Sequence, residues 1–280
     1  MSIENLHYPA EIFGFPPSNT SKMALQVRKE YACPFIGQKC TKQSRLLPYP
    51  LGICSAWHLG TPRIICPNRF YFSDRVLLKN ISKLFLNKES VELVPEVTLE
   101  GFGHVDWVGF YRDRDGRIVD FCGIEVASDS TTQTGELVRA MKDFIKSGAV
   151  QGRYTYGMNT YNTIKLSFTQ VMFKGQVFER WMKKYIWLLQ DSLFDNLVER
   201  FGLKLEEGYK DNQIIFYVVK MVKNKEDFFN MPPENIYSTS VQELVKAFKQ
   251  TEILPVEDFL NAIRRKLAGH ITSEKLNKYI

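Results

Sequence analysis

The spacing of apolar and polar positions changes period several times along this chain, and each change marks an element. Between positions 105 and 128, two apolar runs, V-D-W-V-G-F-Y-R and I-V-D-F-C-G-I-E-V-A, flank Asp115-Gly116. Asp-Gly between β-branched and aromatic runs predicts a β-hairpin. Before it, Val76, Leu77, Ile81, Leu84 and Phe85 share one stripe of a predicted helix over Ser73–Asn87. The run V-E-L-V-P-E-V-T-L-E-G then reads as an acidic strand. After the hairpin, Leu137, Ala140, Met141, Phe144 and Ile145 predict a helix from about Gly135 to Lys146, ended by Gly148. Ile164, Phe168, Val171 and Met172 predict a second over Thr160–Lys174. A third is expected over Phe178–Phe201, apolar enough to be buried or to sit at a subunit contact. N-Q-I-I-F-Y-V-V-K-M-V-K, from 212 to 223, reads as a strand, and Met231-Pro232-Pro233 as a linker. Ser240 with Glu243 forms a capping box for one closing helix. Phe259, Leu260, Ile263 and Leu267 share one side of another, over Val256–Leu267.

The order helix, strand, hairpin, helix, helix, strand predicts an α/β core built on a mixed α+β sheet. Three regions are expected: an arm and a cysteine-rich knot over 1–72, the core over 73–230, and a helical extension over 231–280. No internal repeat or low-complexity tract interrupts them.

Residues 1–30 are polar, with Pro16-Pro17 and an S-N-T-S run, and read as a partly ordered arm leading into Met23–Tyr31. Cys33, Cys40, Cys54 and Cys66 follow within a loop-rich segment holding several prolines and glycines. Such a segment has little core of its own, and a tetrathiolate metal site supplies the missing cross-links. The spacings are irregular and none is C-x-x-C, which leaves Cys₄ zinc, Cys₄ iron and four buried reduced thiols as alternatives. His58, a lone histidine, reads as surface. Net charge is +6, from 37 basic and 31 acidic residues, which is compatible with a polyanionic partner. No apolar run reaches the roughly 18 residues of a membrane helix. The first ten residues lack the charge-then-apolar pattern of a secretory signal. The cytoplasm, with reduced cysteines, is the expected compartment.

The hairpin carries the candidate chemistry. Asp106 lies in its first strand and Glu125 in its second. A carboxylate within an apolar strand is costly to bury without compensation. Two of them on paired strands point to a shared Mg²⁺, a cation that prefers oxygen ligands. The plain alternative is a pair of solvated acids on an exposed face. Glu92, Glu96 and Glu100 lie just upstream.

An acid in one hairpin strand followed by an acid in the next is the layout of PD-(D/E)xK nucleases. The cysteine segment narrows that further. C-P-F at Cys33, G-I-C at Cys54 and I-I-C-P-N-R at Cys66, followed by V-D-W around Asp106, G-I-E-V around Glu125 and K-L-S-F-T-Q at 165–170, resemble the NotI restriction endonuclease family over about residues 30–180. The resemblance implies a PD-(D/E)xK core beside an iron bound by four cysteines, here Cys33, Cys40, Cys54 and Cys66, with zinc as the alternative metal. It implies Mg²⁺ held by Asp106 and Glu125, with Glu96 as the upstream acid. It also implies a homodimer that cuts palindromic double-stranded DNA. One position departs from the family. Two residues after the second acid, where the family has Gln and related nucleases have Lys, this chain has Ala127. Ser128, Gln133 and Lys142 are the candidates to replace it, Gln133 standing as the catalytic choice. Otherwise activity is weakened or lost, and the chain is a DNA-binding protein with a structural metal. Arg112, Arg114 and Arg117 at the hairpin turn, Asn159 and Lys174 are the candidate DNA contacts; Arg63, Arg69, Lys183 and Lys184 are further phosphate candidates. The polar runs 128–134 and 154–162 are candidates to reach base edges.

Overall fold

The computed structural model describes residues 7–71, 75–150, 153–209, 211–224, 228–250 and 255–276. Among them the order is β1 (Pro9–Ile12), α1 (Lys22–Lys29), β2 (Ala32–Cys33), β3 (Gln38–Lys39), β4 (Ile53–His58), β5 (Thr61–Ile64), a 3-10 turn (Pro67–Tyr71), α2 (Val76–Leu86), β6 (Glu92–Leu99), β7 (Gly103–Arg112), β8 (Ile118–Ala127), α3 (Thr134–Ser147), α4 (Thr160–Arg180), β9 (Tyr185–Gln190), α5 (Asp191–Phe201), β10 (Glu206–Glu207), β11 (Ile214–Val219), β12 (Val222–Lys223), β13 (Phe229–Asn230), β14 (Pro233–Thr239), α6 (Val241–Gln250) and α7 (Val256–Leu276).

Seven strands form one mixed sheet in the order β10-β14-β11-β9-β8-β7-β6. β8, β9 and β11 run parallel and the rest pair antiparallel. Parallel strands need covered faces on both sides, so their sequences read as unbroken apolar runs. That is true of YIWLLQ in β9 and IIFYVV in β11, where every residue is buried. Residues of α4, α5 and α6 pack in the cluster on one face, around Phe168, Trp187, Leu197, Phe216 and Leu244. Residues of α2, Phe70 and Met231 pack in the cluster on the other, with Ile124, Leu188 and Tyr217. A third cluster joins the cysteine segment to α3, through Phe13, Ile53, Met141 and Tyr156. The result is the mixed α/β architecture expected from the sequence, with seven helices among the described residues.

The predicted hairpin, the helices at 134–147 and from 160, and the final helices are present. The start of the first predicted helix falls at 72–74, outside the described residues, and α2 spans Val76–Leu86. Ser240 caps α6, its hydroxyl accepting the Glu243 amide at 3.2 Å. The helix predicted over Phe178–Phe201 is corrected: α4 runs on to Arg180, residues 185–190 form a central strand, and α5 begins at Asp191. A short run that is apolar on all sides has no period with which to tell a buried strand from a buried helix. As a strand in the middle of the sheet it is also no subunit contact. The segment after Met231-Pro232-Pro233 leads straight into β14, which pairs with β11 over six positions. Within the expected arm, β1 pairs with β4 and is buried throughout.

Arg69, expected on the surface, is buried as well. Its Nε donates to Glu11 at 2.9 Å, and Ser55 Oγ donates to the same carboxylate at 2.8 Å. Burial pushes the Glu11 carboxyl up, against the pull of the guanidinium. This pair joins β1 and β4 to the turn that follows Cys66.

Candidate active site

Asp106 sits where β7 and β8 part. Their ladder runs from Arg112–Ile118 to Trp107–Ile124 and stops there, while β8 continues beside β9 through Ala127. Asp106 Oδ2 accepts the Val126 amide at 2.9 Å, so a side chain takes up the N–H that the ladder leaves free. On the other side, the β6–β7 register steps from Pro95–Trp107 to Val97–Val105 and skips Glu96. Glu96 lies at φ +52°, a left-handed backbone that turns it out of the ladder as a bulge does. Its charge is felt at Asp106. Glu96, Asp106 and Glu125 therefore lie on three adjacent strands, Glu96 exposed and Glu125 buried.

Glu125 is 5% exposed, and its Oε1 accepts Lys174 Nζ at 2.6 Å. The same ammonium donates to the His104 carbonyl, beside Asp106 on β7. Burial first, and the neighbouring Asp106 charge second, push the Glu125 carboxyl up to about 7, against the pull of Lys174. Burial also raises Asp106, while the Val126 amide and Lys174 pull it down. The Tyr185 hydroxyl is buried facing Glu125 without a hydrogen bond of regular geometry.

Two contacts in register set Lys174 there. Gly123 has no side chain, and Phe178 of α4 fills the space a Cβ would take, 2.6 Å from that point. Two residues along a strand cover about 6.6 Å and four along a helix about 6 Å. Stepping from Gly123 to Glu125, and back from Phe178 to Lys174, brings the carboxylate opposite the ammonium. Two residues further along the strand and three further back along the helix lie Ala127 and Val171, both buried in one apolar cluster.

The four cysteines Cys33, Cys40, Cys54 and Cys66 are all buried, and neighbouring ones within the set feel each other's charge. Burial pushes Cys33 up to about 11, while the Phe35 and Ile36 amides donate to its sulfur. Cys66 receives the Asn68 and Arg69 amides in the same way. Both thiols thus open a Cys-Pro-x-x turn with two N–H groups aimed at sulfur. The Lys42 ammonium stands near Cys40, Cys54 and Cys66 and donates to the Ile65 carbonyl at 2.7 Å. Tyr71 feels Asp106, Glu96 and Cys66 together, which sets the knot beside the carboxylate row.

Among the described residues, no group of three or more His, Cys, Asp or Glu side chains stands arranged to hold a metal ion. The donors themselves fit metals of two kinds. Burial raises Cys33, Cys54 and Cys66 above the usual thiol range, which favours thiols in the metal-free chain, while the amides and the Lys42 ammonium beside them would offset the charge of thiolates on zinc or iron. Two adjoining carboxylates with raised proton affinity, beside an unpaired buried hydroxyl, suit a hard divalent cation.

Ser128 follows β8 directly and is half-buried. Gln133 and Lys142 are exposed, and Gln133 precedes α3 in a left-handed conformation. Arg112, Arg114 and Arg117 are exposed at the hairpin turn, about 20 Å along the strands from Asp106. Arg112 is paired there with Glu92 at 2.9 Å. Asn159 precedes α4, and its amide donates to the Ser130 carbonyl at 2.7 Å. Thr131 bridges to Met158, so the two polar runs lie side by side beyond the end of β8. Lys174, expected on a phosphate, is buried in the site instead. Its signal was present in the sequence: it continues the stripe Ile164, Phe168, Val171 toward Phe178, a lysine on the apolar face of a helix.

A sheet of this kind, with acids gathered where two strands part, serves many enzymes, and comparison with known families supplies the class: the protein is a restriction endonuclease, a nuclease acting on DNA. The family model described as restriction endonuclease NotI matches residues 19–231, well over half of the chain, and the chain belongs to that family. No curated protein and no solved structure gives a significant match.

Proposed function

We propose that the protein is a type II restriction endonuclease with a PD-(D/E)xK core, cutting both strands of a palindromic duplex in the prokaryotic cytoplasm. The observation that carries this reading is the meeting of Asp106 and Glu125 at the point where β7 and β8 part, with Glu96 set out of the ladder beside them and its charge felt at Asp106. In this reading Asp106 and Glu125 hold Mg²⁺, which supplies charge neutralisation at the scissile phosphate and an acidified water. Glu96, at the exposed end of the row, accepts hydrogen bonds from metal-side water. The polar runs around Ser130 and Asn159, adjacent to the row, face the DNA and supply base contacts. Arg112, Arg114 and Arg117, farther along the hairpin, reach flanking phosphates. Cys33, Cys40, Cys54 and Cys66 hold one iron or zinc that fixes the knot.

Purified protein incubated with mixed-sequence duplex DNA and Mg²⁺ is expected to yield discrete fragments. A uniform smear, or uncut DNA with Mg²⁺ and with Mn²⁺, would overturn the reading. Ala127 favours one alternative, a DNA-binding protein that has lost its chemistry; uncut DNA together with sequence-specific gel shifts in Ca²⁺ would establish it.

Cutting a palindrome calls for two sites related by a two-fold axis, and the proposed assembly is a homodimer. Phe259, at 64% exposure, and Ile263 and Leu267 lie on one stripe of α7, the proposed contact. Light scattering is expected to give twice the 32.5 kDa chain mass, free or on DNA. A monomer in both states would exclude it.

A further inference from the structure

The sequence leaves the nuclease site one group short, because the side chain two positions after Glu125 is a methyl. We propose that Lys174 of α4 supplies that missing group, as a cation delivered from the helix that crosses the sheet rather than from the catalytic strand. The inference rests on the nuclease reading above.

Three observations carry it. Lys174 Nζ lies 2.6 Å from Glu125 Oε1 and also donates to the carbonyl of His104, so one ammonium ties the strand bearing Glu125 to the strand bearing Asp106. Ala127 points to the same face of β8 as Glu125, and its space is closed by the apolar cluster that includes Val171, one turn before Lys174. A long polar side chain at 127 therefore has no room in that apolar cluster. Third, Gly123 lets α4 approach closely enough for the lysine to reach, through Phe178. A surface lysine needs none of this, and a lysine serving only to balance a buried acid has no reason to bridge both acid-bearing strands. Lys174 acts here as a positioning residue: it fixes one oxygen of Glu125, leaves the other to the metal ion, and keeps a positive charge at the row where a phosphate arrives. A lysine migrating between elements preserves such a charge because its long stem is flexible and its ammonium is a compact donor.

The test is single-turnover cleavage of saturated DNA duplex in Mg²⁺, with DNA affinity measured separately in Ca²⁺, for wild type, Glu125→Gln, Lys174→Gln, Lys174→Arg and the double variant Lys174→Ala/Ala127→Lys. Lys174→Gln is expected to slow cleavage by about a hundred-fold or more while DNA affinity stays within about three-fold. The double variant, which returns a lysine to the strand, is expected to recover at least about ten-fold over Lys174→Gln. Lys174→Arg keeps the charge and the ion pair, and therefore the fold, yet its planar fork misplaces the donor; a loss of about ten-fold or more is expected. If Lys174→Gln does not fold, the Arg and double variants decide alone. Wild-type rates for Lys174→Arg, or a double variant that is folded but no faster than its lysine-free control, Lys174→Ala, would overturn the proposal. So would parallel losses of rate and DNA affinity in Lys174→Gln, which would make the lysine a structural or phosphate-anchoring residue. The two readings fail separately. No cleavage by wild type sinks the nuclease reading. Cleavage lost in Glu125→Gln but unchanged in Lys174→Gln sinks the lysine assignment alone.

Discussion

Glu125→Gln and Asp106→Asn are each expected to abolish DNA cleavage. Either change removes a charged metal ligand and keeps the volume of the side chain; Asp106→Asn is expected to keep its stability, whereas Glu125→Gln lowers it by leaving the buried Lys174 ammonium without its counter-charge. A lost catalytic ligand raises the barrier by about 3 kcal/mol or more, a slowing of at least two orders of magnitude. Sequence-specific binding is expected to persist, and to tighten when measured without divalent metal, because fewer bare carboxylates then repel phosphate. The carboxyl also gives pH its sign. Burial and Asp106 hold Glu125 up at about 7, so below that pH the metal-free site keeps its proton and Mg²⁺ must displace it. Cleavage is expected to fall as pH drops through 7. Stability runs the other way: a carboxyl raised on folding stabilises the metal-free chain fully below its unfolded value of 4.5, and that contribution is lost as pH rises through 7. Thermal midpoints of the metal-free protein should therefore decline across that window, and Glu125→Gln should flatten the decline. Wild-type cleavage by Glu125→Gln would end the assignment of this hairpin as the reaction centre.

Cys66→Ser is expected to unfold the knot. In small cysteine segments metal binding is the larger part of the folding free energy, and a tetrathiolate site that loses a ligand gives up several kcal/mol. Metal analysis is expected to find about one iron or zinc per wild-type chain and far less in Cys66→Ser, together with lower solubility. Iron bound by four thiolates colours the protein, whereas zinc leaves it colourless. Cys122→Ala is the internal control: Cys122 is fully buried in β8 under α2, near Ser82, away from the other four. Neither iron nor zinc at stoichiometric level in freshly prepared wild-type protein would mean that the cluster is four buried thiols.

Much of this was legible in the chain. Asp115-Gly116 and its flanking runs fixed the hairpin, and the helical stripes placed α3, α4 and α6. Four clustered cysteines, Asp106 and Glu125 stood out as candidates, and the structure buries the cysteines and Glu125. What was hidden had one of two causes. YIWLLQ has no period, since both faces of β9 are covered, and a uniform run carries no phase. Lys174 and Tyr185 join the site through packing between elements far apart in sequence, and only the register of α4 on the sheet brings them in. Arg69 was misleading for a related reason, since a guanidinium reads as surface until Glu11, from another strand, lies opposite it.

The pairing of Glu125 with Lys174 also bears on the order in which the chain becomes competent. The two partners are separated by 49 residues, and the intervening chain must form α3 and lay α4 across β8 before they meet. Until they meet, Glu125 lacks the ammonium that holds its Oε1. The site is thus a product of the closed chain rather than of the hairpin alone, and a chain cut between the two partners is expected to lack it.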